Sequence, residues 1–289
     1  MRKNAEVKVK LPFAAAALLA VFAAFVWSAA FALEPSGNLR VSFLDVGQGD
    51  AIFIESPAKV QVLVDGGPSR AVLRELSGVL PWFDRSIDIV LATHPDKDHI
   101  GGLPEVLERY KVAYFVRSGV EDGGADKRAL DEAVAGEREA REIVARAGDV
   151  FDLGGGAFLE ILFPDRDVSG LEANSGSVIV RVVYGETAVI LSGDAPKAIE
   201  EYIAGRYGGA LQSDILKVGH HGSKTSSSEL FVGLVSPEFA VFSRGCSNRY
   251  GHPHAEVLDT FARFEISVLD TCEEGTITFT SDGQEIRRK

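Results

Sequence analysis

The chain has 289 residues, 46% of them hydrophobic and 25% charged, with a formal net charge of −12. A chain of that length and composition buries a sizeable core as one large domain or two small ones, which excludes a disordered or fibrous protein. Residues 1–33 hold four bases and one acid, leaving 26 bases against 41 acids and a net −15 in the remainder. That balance excludes a high-affinity nucleic-acid coat, but not a nuclease in which bound metal ions supply positive charge where the phosphate sits.

A basic start (Arg2, Lys3, Lys8, Lys10) leads into an apolar run from Leu11 to Leu33, interrupted only by Pro12 and Ser28. The ending Ala30-Phe31-Ala32 before Glu34-Pro35-Ser36-Gly37 suits a cleaved secretory signal, and a run of about 20 apolar residues suits an uncleaved membrane anchor; the Ala-x-Ala ending tips the reading toward cleavage. Under both readings the positive flank stays inside and residues 34–289 form an exported domain, secreted or anchored. Two cysteines, Cys246 and Cys272, are too few and too far apart for a tetrahedral cysteine zinc site. One disulfide in an exported domain and two buried free thiols fit the sequence equally.

From Asn38 onward the pattern is that of a strand-rich α/β domain. Arg40 to Asp45, Ala51 to Glu55 and Val60 to Asp65 predict an antiparallel meander, joined by Gly47-Gln48-Gly49 and Ser56-Pro57-Ala58-Lys59. An amphipathic segment, Ser69 to Leu80, follows, and Ile87 to Ala92 reads as a buried strand. That strand delivers the loop Thr93-His94-Pro95-Asp96-Lys97-Asp98-His99, with a helix expected from Pro104, where proline's missing donor costs nothing. Asp126 to Arg146 predicts a solvent-facing helix whose paired charges carry no chemistry. Strands return at Phe158 to Phe163, Val178 to Tyr184, Thr187 to Leu191 and Asp214 to Val218, and alternating helix and strand patterns finish the chain. The two halves share one layout: strands first, then ligand-bearing loops and helices.

Four metal-ligand side chains within six residues, His94, Asp96, Asp98 and His99, cannot all reach one ion from a regular helix or strand, but a loop leaving a strand end can split them between two adjacent ions. A lone His-x-Asp is more often a solvated charged turn. Here further acids and histidines follow strands of the same kind: Asp65 before Gly66-Gly67, Asp194 after Gly193, and His220-His221 before Gly222-Ser223.

This ordered series resembles the motifs of metallo-β-lactamase-fold hydrolases over nearly everything after residue 38. More closely, Asp45-Val46-Gly47-Gln48-Gly49-Asp50-Ala51, Lys217-Val218-Gly219-His220-His221-Gly222-Ser223-Lys224 and Asn248-Arg249-Tyr250-Gly251-His252-Pro253-His254 resemble the hydrolase domain of DNA-uptake competence proteins of the ComEC type. The resemblance implies a four-layer αββα sandwich with the site along one edge between two sheets. It implies His94 and Asp96 on a first metal, Asp98 and His99 on a second, Asp194 bridging, and His220 completing the second site. It also implies DNA or a nucleotide as substrate and a channel-type competence partner. Two departures stand out: Asp96 occupies a place where many members carry histidine, and no histidine lies between His99 and His220. Asn174 or Ser175 is the expected stand-in, directly or through water, and carboxylate in place of imidazole tilts the ion from zinc toward manganese.

Two divalent ions about 3.5–4 Å apart can lower the pKa of a shared water and neutralise charge on the attacked and leaving groups, so hydrolysis needs no side-chain nucleophile. Asp98 serves as ligand and orienter, and Asp65 is expected to hold a ligand histidine from behind. His221 reads either as a neighbour that bonds a substrate oxygen or as packing behind His220. His252 reads as proton donor to the leaving group or as a plain turn residue, and His254 as a helix-start residue. Ser226 with Glu229 fits a helix capping box, while Ser223 and Lys224 suit a phosphate contact. A hydrolase of an ester, thioester or lactam in the same fold is the competing reading, and a binding domain that keeps metal only for stability is a third.

Overall fold

The computed structural model describes residues 10–137 and 139–289, so the basic flank at Arg2, Lys3 and Lys8 lies outside the described residues. The chain divides into two compact units, residues 1–36 and 37–289. In the first, Lys10–Leu33 form one 24-residue helix, α1. Among the described residues no helix meets the length and apolarity of a membrane span.

The second unit begins with β1 (Leu39–Phe43), β2 (Ile52–Glu55) and β3 (Gln61–Val64), followed by α2 (Ala71–Val79) and β4 (Ser86–Ala92). Two short helices, α3 (Lys97–Ile100) and α4 (Leu103–Arg109), lead to β5 (Lys111–Arg117), α5 (Ala125–Gly136) and β6 (Arg141–Val144). The second half repeats the plan with β7 (Val150–Gly154), β8 (Ala157–Phe163), β9 (Ile179–Tyr184), β10 (Thr187–Leu191), α6 (Lys197–Tyr207) and β11 (Ile215–Lys217). It continues through α7 (Glu229–Val235), β12 (Phe239–Phe242), α8 (Ala255–Arg263) and β13 (Ser267–Asp270), and the hairpin of β14 (Ile277–Ser281) and β15 (Ile286–Arg288) closes the chain.

Eight strands form one sheet in the order β15-β14-β1-β2-β3-β4-β5-β6, and seven form the other in the order β13-β12-β11-β10-β9-β8-β7. Each sheet is antiparallel over its meander and parallel where helices intervene, as at β3–β4 and β10–β11. Alternation along the strands sorts side chains into layers. Val62 and Val64 pack between the sheets with Val189, Leu191 and Val241, while Leu63 faces the opposite side with α2 and α4. In the same way Ala240 and Phe242 face Phe231, Val257 and Phe261 of α7 and α8. This is the expected αββα sandwich, with its duplicated halves.

Two local expectations need correction, and one open alternative is resolved. The helix expected over Asp126 to Arg146 stops at Gly136, and Arg141–Val144 pair in parallel with β5 as an edge strand. Helix α7 is capped by Ser228, whose side chain accepts from Phe231 N, rather than by a Ser226–Glu229 box. Ser226 instead donates to the carbonyls of Gly219 (2.6 Å) and Ser223 (2.9 Å), holding the histidine turn. Cys246 and Cys272 form a disulfide, with Cα atoms 5.0 Å apart, which resolves the alternatives left open by the sequence.

Candidate metal centre

The site is assembled where strand ends from both sheets meet. β4 ends at Ala92, and the following loop turns at once into the single turn of α3, so His94 and Asp96 precede that turn while Asp98 and His99 ride on it. The turn is clamped by backbone: Gly66 N donates to the His99 carbonyl (2.7 Å) and Asp50 N to the Asp98 carbonyl (3.2 Å). A Cβ on Gly49 would lie 2.0 Å from the Asp98 carbonyl oxygen, and φ there is +136°, so glycine is what lets the two backbones touch.

Asp65 closes β3 and anchors the same loop. Its Oδ1 accepts from Thr93 N (2.8 Å), and its Oδ2 accepts from Thr93 Oγ1 (2.7 Å) and His99 Nδ1 (2.8 Å). With the Thr93 hydroxyl proton directed at Asp65, Thr93 Oγ1 is left to accept from His94 Nδ1 at 3.0 Å. His221 Nδ1 in turn donates to the Ser243 carbonyl (2.7 Å). Each of the three Nδ1 atoms thus carries its proton outward, which leaves every Nε2 a lone pair facing inward.

Those lone pairs converge. His99 Nε2 lies 3.3 Å from His221 Nε2 and 3.3 Å from Asp194 Oδ1, and His221 Nε2 lies 3.4 Å from Asp98 Oδ2 and 3.5 Å from Asp194 Oδ2. His94 Nε2 is 3.6 Å from Asp96 Oδ2 and 3.9 Å from Asp194 Oδ2, and His220 Nε2 is 3.7 Å from that same oxygen. Ligand atoms about 2.1 Å from a shared tetrahedral ion sit roughly 3.4 Å apart, so these spacings suit coordination. His94 Nε2 and Asp194 Oδ1 are buried without a hydrogen-bond partner, which a metal would satisfy. The residues present therefore fit divalent ions.

Two members of the cluster escaped the sequence reading. Asp50 lies within 4.8 Å of His99, Asp194 and His221. Its oxygens, however, face the Nδ1 sides of the imidazoles, 3.7 Å from His99 and 3.4 Å from His221, and Oδ2 is ion-paired with Lys217. Asp50 thus stands behind the ligands, and Asp98, with a 31% exposed side chain, faces them from the open side. Lys217, fully buried at the end of β11, also donates to the Gly193 carbonyl (3.0 Å) and lies 3.6 Å from Asp194 Oδ1. A lysine closing an otherwise apolar strand was the available signal, because a buried ammonium requires a buried acid.

Charge explains the rest. Asp50, Asp65, Asp96, Asp98 and Asp194 face a single ammonium, leaving a formal excess of four negative charges, the charge of two divalent ions. Without the ions that excess draws protons: burial opposes a charged His221, but Asp194 and Asp50 outweigh it and raise its pKa to about 9, and His99 is raised well above its ordinary value by Asp194 and Asp65. The metal-free centre therefore binds protons that ions must displace, so uptake is expected to release protons at pH 7 and to tighten as pH rises toward about 9. Calorimetric titration in buffers of different ionisation heat checks this, and equal apparent heats in all buffers would contradict it.

The remaining candidates lie around this centre. His252 is buried with its ring 5.7 Å from that of His220 and stacked beside Tyr250 at 5.5 Å. Burial and the neighbouring His220 lower it to about 4, so it faces the site as a neutral imidazole. His254 caps α8. Asn174 and Ser175 form a short 3-10 turn in which Ser175 bonds Glu172 and Asn174 Oδ1 is buried without a hydrogen-bond partner; Ser177 Oγ accepts from Asp194 N at 3.2 Å. Ser223 bonds Thr225, whose hydroxyl also meets His220 Nδ1, and Lys224 is exposed beside them.

The family model that matches residues 44–245 is that of the metallo-β-lactamase superfamily. The chain belongs to that superfamily. It is 32% identical over 267 residues to ComE operon protein 3 of Bacillus subtilis (strain 168), covering 84% of this chain and 33% of that protein. It is 31% identical over 249 residues to competence protein ComA of Neisseria gonorrhoeae, again covering 33% of the relative. The chain thus spans about a third of the length of these curated relatives. Among solved structures, Igni18, a metallo hydrolase from Ignicoccus hospitalis KIN4/I, shares the fold with a TM-score of 0.55 at 17% identity, covering 84% of this chain and 98% of Igni18. CmlA from Streptomyces venezuelae, a diiron β-hydroxylase, matches with a TM-score of 0.53 at 14% identity, covering 87% of this chain and 54% of CmlA.

In this superfamily member the Asp65 clasp is expected to tune the ions rather than the fold. Asp65→Asn should weaken metal affinity about 10–100-fold, because the His99 ring loses the carboxylate that fixes its tautomer. Equilibrium dialysis checks it, and unchanged affinity would remove Asp65 from the centre.

Proposed function

We propose that this chain is an exported metal-dependent phosphodiesterase or nuclease that hydrolyses DNA or nucleotides with a metal-activated water. The observation that carries the reading is the inward convergence of the His94, His99 and His221 Nε2 atoms on Asp194, in a chain whose relatives include competence proteins. In this reading His94, Asp96 and Asp194 would hold a first divalent ion and Asp98, His99 and Asp194 a second, where His221 Nε2, rather than the expected His220, faces His99 and Asp98. Manganese or zinc bound there would act as Lewis acid and lower the pKa of a water.

The protein side chains supply the rest. Asp98, more open than Asp194, orients the attacking water by accepting a hydrogen bond from it. His252, neutral at the rim, offers a hydrogen bond to the leaving oxygen. Lys224 and Ser223 offer charge and hydroxyl to the phosphate from the turn after the histidines. Lys217 keeps Asp194 from facing Asp50 unscreened. The disulfide supports an oxidising compartment outside the cytoplasm, and the apolar stretch of α1 supports delivery to the membrane, as a cleaved signal or an anchor. The likeness to a third of each competence protein supports work beside a channel-type partner.

The test is cleavage of DNA and bis-p-nitrophenyl phosphate by metal-stripped protein resupplied with manganese or zinc, beside a panel of chromogenic esters, thioesters and β-lactams. Phosphodiester turnover lost in Asp98→Ala supports the proposal. Turnover of the panel alone would move the assignment to a non-phosphate bond.

A further inference from the structure

The first ion, as drawn above, is under-coordinated: His94, Asp96 and Asp194 are its protein ligands, and no histidine occurs between His99 and His220 to complete it. Of the neighbours expected to compensate, Ser175 is turned to Glu172, and Asn174 Oδ1 is buried without a hydrogen-bond partner. We propose that the adjacent histidines divide between the ions, His221 serving the second and His220 the first, so that His220 takes the place of the missing histidine. This rests on the two-ion reading above.

The backbone makes the division feasible. His220 and His221 both adopt left-handed conformations, with φ of 48° and 53°, an arrangement unfavourable for non-glycine residues that persists where the surroundings impose it. The imposing contacts are Ser226 Oγ bonded to the Gly219 carbonyl, and His220 N bonded to the Gly193 carbonyl at 3.2 Å. The outcome is two neighbouring rings splayed at 75°, with centroids 6.2 Å apart. His221 turns inward against His99 and Asp98. His220 keeps a 27% exposed side chain, and its Nε2 approaches Asp194 Oδ2 at 3.7 Å; His94 and His221 approach that oxygen too, at 3.9 and 3.5 Å, but only His221 is also held against His99 and Asp98. Thr225 Oγ1 lies 3.1 Å from His220 Nδ1 and can accept its proton, which leaves Nε2 free to coordinate. His220 and the half-open Asp96 would hold that first ion on the open side of the site.

The test counts ions in the full chain with manganese as probe, by metal analysis after dialysis and by electron paramagnetic resonance. The wild type should hold two ions with a spin-coupled signal, whereas His220→Ala and Asp96→Asn should each hold one, with the six-line signal of an isolated ion. The double variant His220→Ala/Asp96→Asn should still hold one ion, because both changes strike the same site. The pair His220→Ala/His221→Ala should hold none at a concentration that saturates either single variant. Two tightly bound ions in His220→Ala, or none in the double with Asp96→Asn, would overturn the division. A wild type that takes up fewer than two ions would overturn the two-ion reading itself, a result visible before any variant is made.

Discussion

Asp194→Asn is expected to lower phosphodiester hydrolysis by on the order of 10³-fold or more, equivalent to about 4 kcal/mol of barrier, and to leave at most one bound ion. Asp194 is the one carboxylate that faces every imidazole of the centre: Oδ1 meets His99, and Oδ2 meets His94, His220 and His221. Neutralising it removes the shared ligand and leaves both ions with too few donors. Burial would push its pKa up, but the surrounding His221, His99 and Lys217 hold it well below the usual carboxylate range, so it is charged across the working pH. Metal analysis beside turnover of bis-p-nitrophenyl phosphate reads both effects. An Asp194→Asn protein with two ions and full turnover would show that the centre lies elsewhere.

The second large effect falls on stability. Lys217→Met should cost about 3–5 kcal/mol of unfolding free energy in urea titrations, because it strands Asp50 as an unpaired charge in a dry interior. Burial works against a charged Lys217, yet Asp50 and Asp194 outweigh it and raise its pKa, which keeps the pair ionised. Pairing Lys217→Met with Asp50→Leu should recover most of the loss, since an apolar pair of similar volume replaces the ion pair without leaving a charge behind. A single variant as stable as the wild type would mean that Asp50 is compensated by another group.

Much of this architecture was legible because its determinants are local. The runs before Asp65, His94 and Asp194 are apolar and end in glycine or a turn, so strands terminating in acids and histidines could be read directly from them. His94, Asp96, Asp98 and His99 come from one loop and one helical turn, and their joint placement needed no tertiary information. Where the outcome depended on distant contacts, the pattern fell silent. Arg141–Val144 form an edge strand whose side chains are largely exposed, so no apolar alternation marks them and β5 alone dictates their state. Asp50 and Lys217 meet across the two sheets from separate halves of the chain, and only the folded interior shows that each is buried against the other. The splay of His220 and His221 depends on two positive φ angles that the pair does not encode by itself.

The measurement that tests the account most directly is a manganese titration of metal-stripped protein in which bound ions and bis-p-nitrophenyl phosphate turnover are read on the same samples. Two ions per chain, with turnover rising as the second is taken up and absent from Asp98→Ala, is the predicted result. Turnover that persists without metal, or that Asp98→Ala leaves intact, would contradict it.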